Sequence, residues 1–201
     1  MPKVQRAILS CYDKTGVVEF AESLVKMGVE LITTEGTHRA LAKAGIESTK
    51  IADFTGIREL LTGRVKTLHP QIHAGLLGVR DNKVHAEEMQ TNGYQWIDMV
   101  VVNLNPMDTV IDASSANPEE VMEQMDIGGM AMIRSAAKNF RYVTVIVNPE
   151  RYSTVVHELA AHEGDLTFRT RYRLAQEAFA TTGQYDRMLA EYLELSESPE
   201  E

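Results

Sequence analysis

The segment 63–80 concentrates polar side chains that could bind or transform a small anionic ligand. Within ten positions it supplies two fixed cations, a hydroxyl and two imidazoles: Arg64, Lys66, Thr67, His69 and His73. Arg64 offers a planar fork for phosphate or carboxylate, and Lys66 offers a compact charge that can also transfer a proton. Loops held by a rigid scaffold commonly carry such sites. The alternative is a solvated basic loop, which the spacing alone favours slightly.

We predict that this segment is a loop, since it has neither helical nor strand periodicity and Pro70 excludes a helix through its own position. The same proline weakens a metal site at His69 and His73, whose i, i+4 spacing would align them only on a helix. No nearby Glu or Cys completes a familiar ligand set. The sequence therefore predicts no metal site here.

The composition is that of one globular domain. The 201 residues are 44% hydrophobic and 24% charged, and the formal net charge is −9. An acidic chain argues against a dedicated nucleic-acid surface. A local basic pocket can still oppose the overall sign, and residues 64–80 and 134–142 carry the charges to build one.

The single cysteine, Cys11, excludes an intrachain disulfide, and its apolar neighbours indicate a packed thiol rather than a nucleophile. The first residues lack the apolar core of a signal peptide. No apolar run approaches the roughly 20 residues that a membrane helix requires. We therefore expect a cytoplasmic protein with no membrane partner.

Alternating apolar and polar stretches predict an α/β fold with a mostly parallel central sheet flanked by helices. Strands are expected at 4–11, 29–33, 46–51, 99–104 and 143–147. Helices are expected at 15–27, 37–44, 83–92, 118–125, 130–139, 149–162 and 167–195. Gly183 is expected to kink or divide the last helix. Residues 1–195 are expected to form the domain, and 196–201 a frayed acidic tail.

Four polar stretches follow predicted strands, and ligands gather at the carboxyl ends of strands in open α/β sheets. They are 10–16, 33–37, 63–80 and 126–139. In the first two, helix starts beside Lys14 and Gly36 could bind a phosphate, although an ordinary helix cap explains either one alone. Glu35 is awkward there, because its carboxylate must point away from any phosphate.

The fourth stretch joins Asp126 to two glycines, Gly128 and Gly129, which permit close backbone approach. Asp126 and Lys138 could form a proton-transfer pair around one substrate. An exposed helix carrying Arg134 and Lys138 is the preferred explanation for either cation singly. Four such stretches on one sheet edge are harder to dismiss than any one of them.

A set of motifs spread along the chain resembles a known family. They are Asp13-Lys14-Thr15-Gly16, Gly63-Arg64-Val65-Lys66-Thr67-Leu68-His69-Pro70, His73-Ala74-Gly75, Asn103-Leu104, Asp126-Ile127-Gly128-Gly129 and Ala136-Ala137-Lys138-Asn139. The pattern closely resembles the inosine monophosphate cyclohydrolase domain of the bifunctional purine-biosynthesis protein, whose three-layer fold is of the methylglyoxal-synthase-like type. The resemblance covers nearly the whole chain, and the string at 64–70 is highly specific.

The resemblance implies closure of the purine ring of formylated aminoimidazole carboxamide ribotide to inosine monophosphate, the last step of de novo purine synthesis. No cofactor or metal is needed, and a homodimer is expected. Lys66 would stabilise developing oxygen charge, Lys138 would donate or accept a proton, and Asp126 would orient the amide and accept its hydrogen. Since the formyltransferase domain of the family is not in the sequence, a stand-alone cyclohydrolase or a fragment is implied.

The same resemblance implies substrate contacts on all four stretches. They are expected at Ser10, Tyr12, Asp13, Lys14, Thr34, Glu35, Gly36, Thr37, Arg64, Val65, Thr67, Val102, Asn103, Ile127, Gly128 and Gly129.

Asn105 is the largest departure, because the family usually has a catalytic tyrosine there and an amide cannot act as a phenolic acid. Other departures are Glu35 for glycine, Met107 for phenylalanine, Met130 for a frequent proline, and Phe140 and Thr181 for histidines. Losing one positioned donor could slow the reaction about 10²–10⁴-fold. A nucleotide- or phosphate-binding regulatory homologue, or a structural domain that dimerises through its C-terminal helices, therefore stays open as an alternative.

Overall fold

A computed structural model describes residues 3–113 and 117–196 of the chain. In those residues five parallel strands form one sheet in the order β3-β2-β1-β4-β5. The strands are β1 (Arg6–Cys11), β2 (Glu30–Thr33), β3 (Thr49–Lys50), β4 (Met99–Asn103) and β5 (Thr144–Ile146). The predicted parallel α/β sheet is thereby confirmed.

Helices connect and cover these strands. They are α1 (Val17–Lys26), α2 (Glu35–Lys43), α3 (Ile51–Thr55), α4 (Pro70–Leu77), α5 (Lys83–Thr91), α6 (Met107–Ala113), α7 (Pro118–Glu123), α8 (Ile127–Lys138), α9 (Tyr152–Ala161) and α10 (Phe168–Leu195). Short 3₁₀ turns lie at Leu61–Gly63 and Pro149–Arg151. No helix in the described part of the chain is long and apolar enough to cross a membrane.

The sheet is the middle of three layers because successive strand residues face opposite sides. Leu9 packs on one face with Phe20 of α1 and Tyr152 of α9, whose rings stack with centroids 4.4 Å apart. Ile8 packs on the other face, where the core residues of α4, α8 and α10 include Ile72, Leu76, Met132, Ile133, Ala175 and Ala178. Both faces are therefore covered, as the continuous apolar runs of the inner strands require.

The strand order reverses at β1. The chain proceeds from β1 to β2 and β3 on one side, and then returns to place β4 and β5 on the other side. In open α/β sheets a crevice forms outside the carboxyl ends of the strands at such a reversal, because the following loops diverge there. The pairing of Cys11 with Asn103 marks this point between β1 and β4.

The prediction of a loop throughout 63–80 is wrong, because α4 occupies residues Pro70–Leu77. Proline is tolerated at the first helical position, where its missing N–H has no intrahelical partner to lose and its φ suits a helix. His69 caps the helix, and its Nδ1 accepts the Gln71 N–H at 3.1 Å. Pro70 therefore begins a helix instead of preventing one.

Two other expectations about elements need correction. The last helix continues through Gly183 without a break, and a Cβ at that glycine would meet no atom within 4 Å. The third strand is only Thr49–Lys50, and helices α3 and α6 were not anticipated. Of the expected tail 196–201, only Ser196 belongs to the described residues.

Candidate active site

A cavity of about 1090 Å³ lies at the carboxyl edge of the sheet, where the strand order reverses. Its size suits a small-molecule ligand. Fifteen of the predicted site residues line it: Ser10, Tyr12, Lys14, Thr34, Glu35, Gly36, Arg64, Lys66, Thr67, Asn103, Asn105, Asp126, Ile127, Gly128 and Gly129. Residues from all four predicted stretches therefore surround one space.

Four predicted substrate contacts lie beside the cavity without lining it. Asp13 makes a tight turn, in which its Oδ1 accepts the Thr15 N–H at 2.9 Å and the Thr15 hydroxyl at 2.7 Å. These hydrogen bonds lower the pKa of the Asp13 carboxyl below its usual value. Thr37 and Val102 are fully buried, and Val65 pairs with Leu60 in an isolated antiparallel bridge.

Asn103 fixes the loop after β1 against the end of β4. Its Oδ1 accepts the Asp13 N–H at 2.8 Å, and its Nδ2 donates to the Asp13 carbonyl at 3.0 Å. Two reciprocal bonds hold one amide side chain between the two strand ends, so the relative position of the loops depends on it. Asp13 and Thr37 act in this framework, since Thr37 Oγ1 accepts the buried Cys11 N–H at 3.1 Å.

One end of the cavity collects positive charge at the start of α2. Lys14 Nζ donates to the carbonyls of Cys11 and, at 3.1 Å, Tyr12, and lies 4.0 Å from where a Cβ of Gly36 would stand. The first turn of α2 has no capping side chain, because Thr34 Oγ1 instead donates to Ser10 Oγ at 3.3 Å. Uncapped N–H groups beside an ammonium favour an anion.

The carboxylate of Glu35, which also lines the cavity, has a cationic partner. It pairs with Lys50 Nζ at 3.1 Å, and this partner lowers the pKa of Glu35. Burial lowers the pKa of Lys14, and the charge of Arg39 lowers it further. Because two cations repel each other there, an anion bound between them would be favoured.

At the opposite end of the cavity, Gly128 and Gly129 leave room for neighbouring side chains at the start of α8. A Cβ at Gly128 would overlap the hydroxyl of the buried Thr67. A Cβ at Gly129 would lie 2.5 Å from Asp126 Oδ2, while Asp126 Oδ1 accepts the Gly129 N–H at 2.7 Å. The predicted close approach at both glycines is thus present. It brings segment 63–67 against the carboxylate that caps α8.

Lys66 and Asn105 reach the same cavity from two further segments. Neither side chain forms a hydrogen bond or ion pair within residues 3–113 and 117–196, so their polar groups are available to a ligand. Arg64, by contrast, pairs with Glu123 of α7, and both side chains are largely exposed. Exposed pairs contribute only about 0–1 kcal/mol, so a bound anion can compete for Arg64.

Lys138 is the predicted catalytic residue that one chain does not bring to this cavity. It is exposed at the last position of α8, whereas Asp126 caps the first turn. Eleven residue steps at 1.5 Å separate the ends of that helix by about 16 Å. We expected Lys66, Asp126 and Lys138 around one ligand. Within one chain, only Lys66 and Asp126 line this cavity.

The two histidines of segment 63–80 have structural partners. His69 caps α4, and His73 Nδ1 lies 3.0 Å from Ser135 Oγ of α8. Burial lowers the pKa of His73, which a hydrogen bond to the Thr67 backbone partly opposes. Among the described residues, no three His, Cys, Asp or Glu side chains are grouped to hold a metal ion.

Sequence reasoning missed several residues that line the cavity. They are Cys11, Arg39, Glu59, Thr62, Gly63, Glu119, Met122, Glu123, Gln124 and Met125. Arg39 could have been found, because it lies three residues after Gly36 and so on the same face of α2. No sequence pattern indicated the residues of α7, since only the path of the chain after β4 brings that helix to the cavity.

Comparison with known proteins agrees with this architecture. The MGS-like domain model matches residues 16–131. The chain belongs to the MGS-like domain family. The model described as AICARFT/IMPCHase bienzyme matches residues 136–201. The family resemblance seen in the motifs is confirmed.

Similar proteins include the bifunctional purine biosynthesis protein PurH of Neisseria meningitidis serogroup A (strain DSM 15465 / Z2491), which is 46% identical over 193 residues. PurH of Chlorobium phaeobacteroides (strain BS1) is 47% identical over 199 residues. This chain is covered to 96% and 99% in the two comparisons, but it spans only 36% and 38% of those relatives. A solved structure titled "Crystal structure of ForH" has a TM-score of 0.84 and 36% identity, covering 94% of this chain and 98% of that one.

The packing of Thr67 on Gly128 generates a stability prediction. Gly128→Ala should destabilise the fold by about 1–3 kcal/mol, because the new methyl group must displace a buried hydroxyl. Adding Thr67→Ala removes that hydroxyl, so the double variant should be less destabilised than the sum of the single variants. Urea unfolding of the four proteins measures this coupling.

Gly183→Ala on α10 is the matched control, because a Cβ there meets open space. It should stabilise the protein by roughly 0.5–1 kcal/mol, as alanine does in a helix interior. Strictly additive effects at positions 67 and 128 would contradict the packing described here.

Proposed function

We propose that this chain closes the purine ring of formylated aminoimidazole carboxamide ribotide, forming inosine monophosphate with loss of water. The observation that most strongly supports this proposal is that Lys14, Lys66 and Asp126 line one cavity. Two relatives named bifunctional purine biosynthesis protein, each nearly half identical to this chain, support this choice of substrate. We further propose that residues 1–195 act as one cytoplasmic domain.

The ribotide phosphate binds at the start of α2 in this proposal. The uncapped first turn and the Lys14 ammonium face the cavity together, and Lys50 pairs with the carboxylate of Glu35. A phosphate there accepts backbone N–H bonds and a charge-assisted bond from lysine. Holding the phosphate fixes the position of the base, which contributes to rate by orientation.

The base then lies between Lys66 and Asp126. The carboxamide nitrogen forms a bond to the formyl carbon, and the formyl oxygen gains negative charge that Lys66 stabilises. Asp126 orients the amide and accepts its hydrogen, since only Oδ1 is used in capping α8. The former formyl oxygen receives two protons, one from the carboxamide nitrogen by way of Asp126 and one from the formamide N–H. Its C–O bond then breaks, a C=N bond forms in the ring and water leaves. No group donor or redox change is required by this balance.

Lys66→Ala should lower turnover about 10²–10³-fold, because it removes a positioned charge at the developing oxyanion. The assay follows inosine monophosphate absorbance after adding the formylated ribotide to purified protein. Lys83→Ala is the matched control, since Lys83 begins α5 and does not line the cavity. Equal rates for both variants would remove Lys66 from the mechanism. Nucleotide binding by wild type without turnover would indicate a regulatory homologue instead.

Asn105 replaces the tyrosine of the family and lines the cavity. We propose that its amide donates a hydrogen bond, with water supplying the proton that an amide cannot. The ring closure needs modest assistance because both reacting groups belong to one molecule. In the same assay, Asn105→Tyr should preserve or raise turnover, and inactivation would show that the position serves another purpose.

We propose that a homodimer brings Lys138 to the site, because one chain leaves it exposed at the far end of α8. Two residues after Lys138, the ring of Phe140 contacts the half-exposed rings of Phe168 and Tyr172. Exposed aromatic groups beside Lys138 suit burial against a second copy. In such a dimer Lys66 and Lys138 of one site come from different copies.

Mixing tests this arrangement. Lys66→Ala and Lys138→Ala should each be slow alone, and a denatured and refolded equimolar mixture should regain about a quarter of wild-type activity, since half of the dimers are mixed and each has one intact site. Refolded wild type is the reference. A mixture no more active than the mean of its parents would contradict sharing of the site between copies.

A further inference from the structure

Arg39 of α2 lines the cavity. Within residues 3–113 and 117–196 it forms no hydrogen bond and no ion pair. The other arginine of the cavity, Arg64, is paired with Glu123 of α7. A cation that faces a cavity and has no internal partner is available to an anionic ligand, so Arg39 differs from Arg64 in this respect.

Arg39 lies at the end of the cavity that collects positive charge. It stands three residues after Gly36, which places both on one face of α2, and the Lys14 ammonium lies over Gly36. The charge of Arg39 is close enough to depress the pKa of Lys14 beyond the effect of burial. Arg39, Lys14 and the first turn of α2 therefore converge on one position.

The carboxylate that could have neutralised Arg39 is engaged elsewhere. Glu35 stands four residues before Arg39, a spacing at which a carboxylate and a guanidinium commonly pair. Instead it pairs with Lys50 at 3.1 Å. Glu35 therefore forms no direct ion pair with Arg39, although it lies near enough for the Arg39 charge to lower its pKa, and the guanidinium stays available to a ligand.

We propose that Arg39 binds the phosphate group of the ligand and makes the site prefer phosphorylated over unphosphorylated nucleosides. The identity of the nucleotide rests on the proposed function, whereas phosphate binding by Arg39 does not. A guanidinium offers two parallel donors to phosphate oxygens, which complements the single point charge of Lys14. Arg39 is thus a binding residue, and the base that reacts lies at the other end of the cavity, between Lys66 and Asp126.

Calorimetric titration of the full chain with inosine monophosphate, ribose 5-phosphate and inosine tests this assignment. Arg39→Gln should weaken binding of both phosphorylated compounds about 10- to 100-fold, because it removes charge-assisted hydrogen bonds. Binding of inosine should change less than about twofold, and Arg39→Lys should restore part of the loss. Lys43→Gln removes one charge from the same helix outside the cavity and should leave all three affinities unchanged.

The outcomes separate this inference from the proposed function. Unchanged affinity of Arg39→Gln for the phosphorylated compounds overturns it, as does an equal loss for inosine or the same loss in Lys43→Gln. If wild type binds ribose 5-phosphate but not inosine monophosphate, the proposed function fails, and the response of Arg39→Gln to ribose 5-phosphate still decides the role of Arg39. If wild type binds neither phosphorylated compound, both fail.

Discussion

The reversal of strand order at β1 is the constraint on which the site depends. Parallel pairing puts the carboxyl ends of β1, β2 and β4 at one edge, and the reversal separates the loops that follow β1 and β4. Asn103 spans that separation with two hydrogen bonds to the backbone of Asp13. Without this register, the polar stretches of the chain would end at unrelated places on the surface.

Close backbone approach then sets the depth of the cavity. Gly128 and Gly129 allow Thr67 and the Asp126 carboxylate to reach the start of α8. Larger residues there would separate the segment carrying Lys66 from Asp126. The glycines thus matter for the space that they leave, and neither is needed for a left-handed backbone conformation. The positions of Lys66 and Asp126 therefore depend on packing as well as on charge.

The charges show how an acidic chain of net charge −9 can place positive charge at one end of a cavity. Glu35 pairs with Lys50 and Glu123 pairs with Arg64, so two nearby carboxylates are neutralised. Lys14 and Arg39 remain directed at the cavity. Because these local pairs are exposed and individually weak, this end of the cavity is positive mainly through the placement of Lys14 and Arg39.

The parallel sheet was predictable because its strands are short apolar runs, and their common edge follows from the fold class. The grouping of Lys14, Lys66 and Asp126 followed from that edge. Pro70 was expected to prevent a helix because the sequence alone does not show that His69 caps a helix that begins at Pro70. The location of Lys138 could not be read from the motifs, since it lies twelve residues along α8 from Asp126, a separation of about 18 Å. Arg39 was overlooked because no motif includes it.

We propose that segments separated in sequence form one nucleotide site at the strand reversal. A crystal structure of the chain with bound inosine monophosphate tests it most directly. We expect the phosphate against Lys14 and the first turn of α2, with the base between Lys66 and Asp126. A nucleotide bound instead in the cavity of about 700 Å³ formed by α1, α2 and β2, or with its phosphate at Asp126, would contradict it.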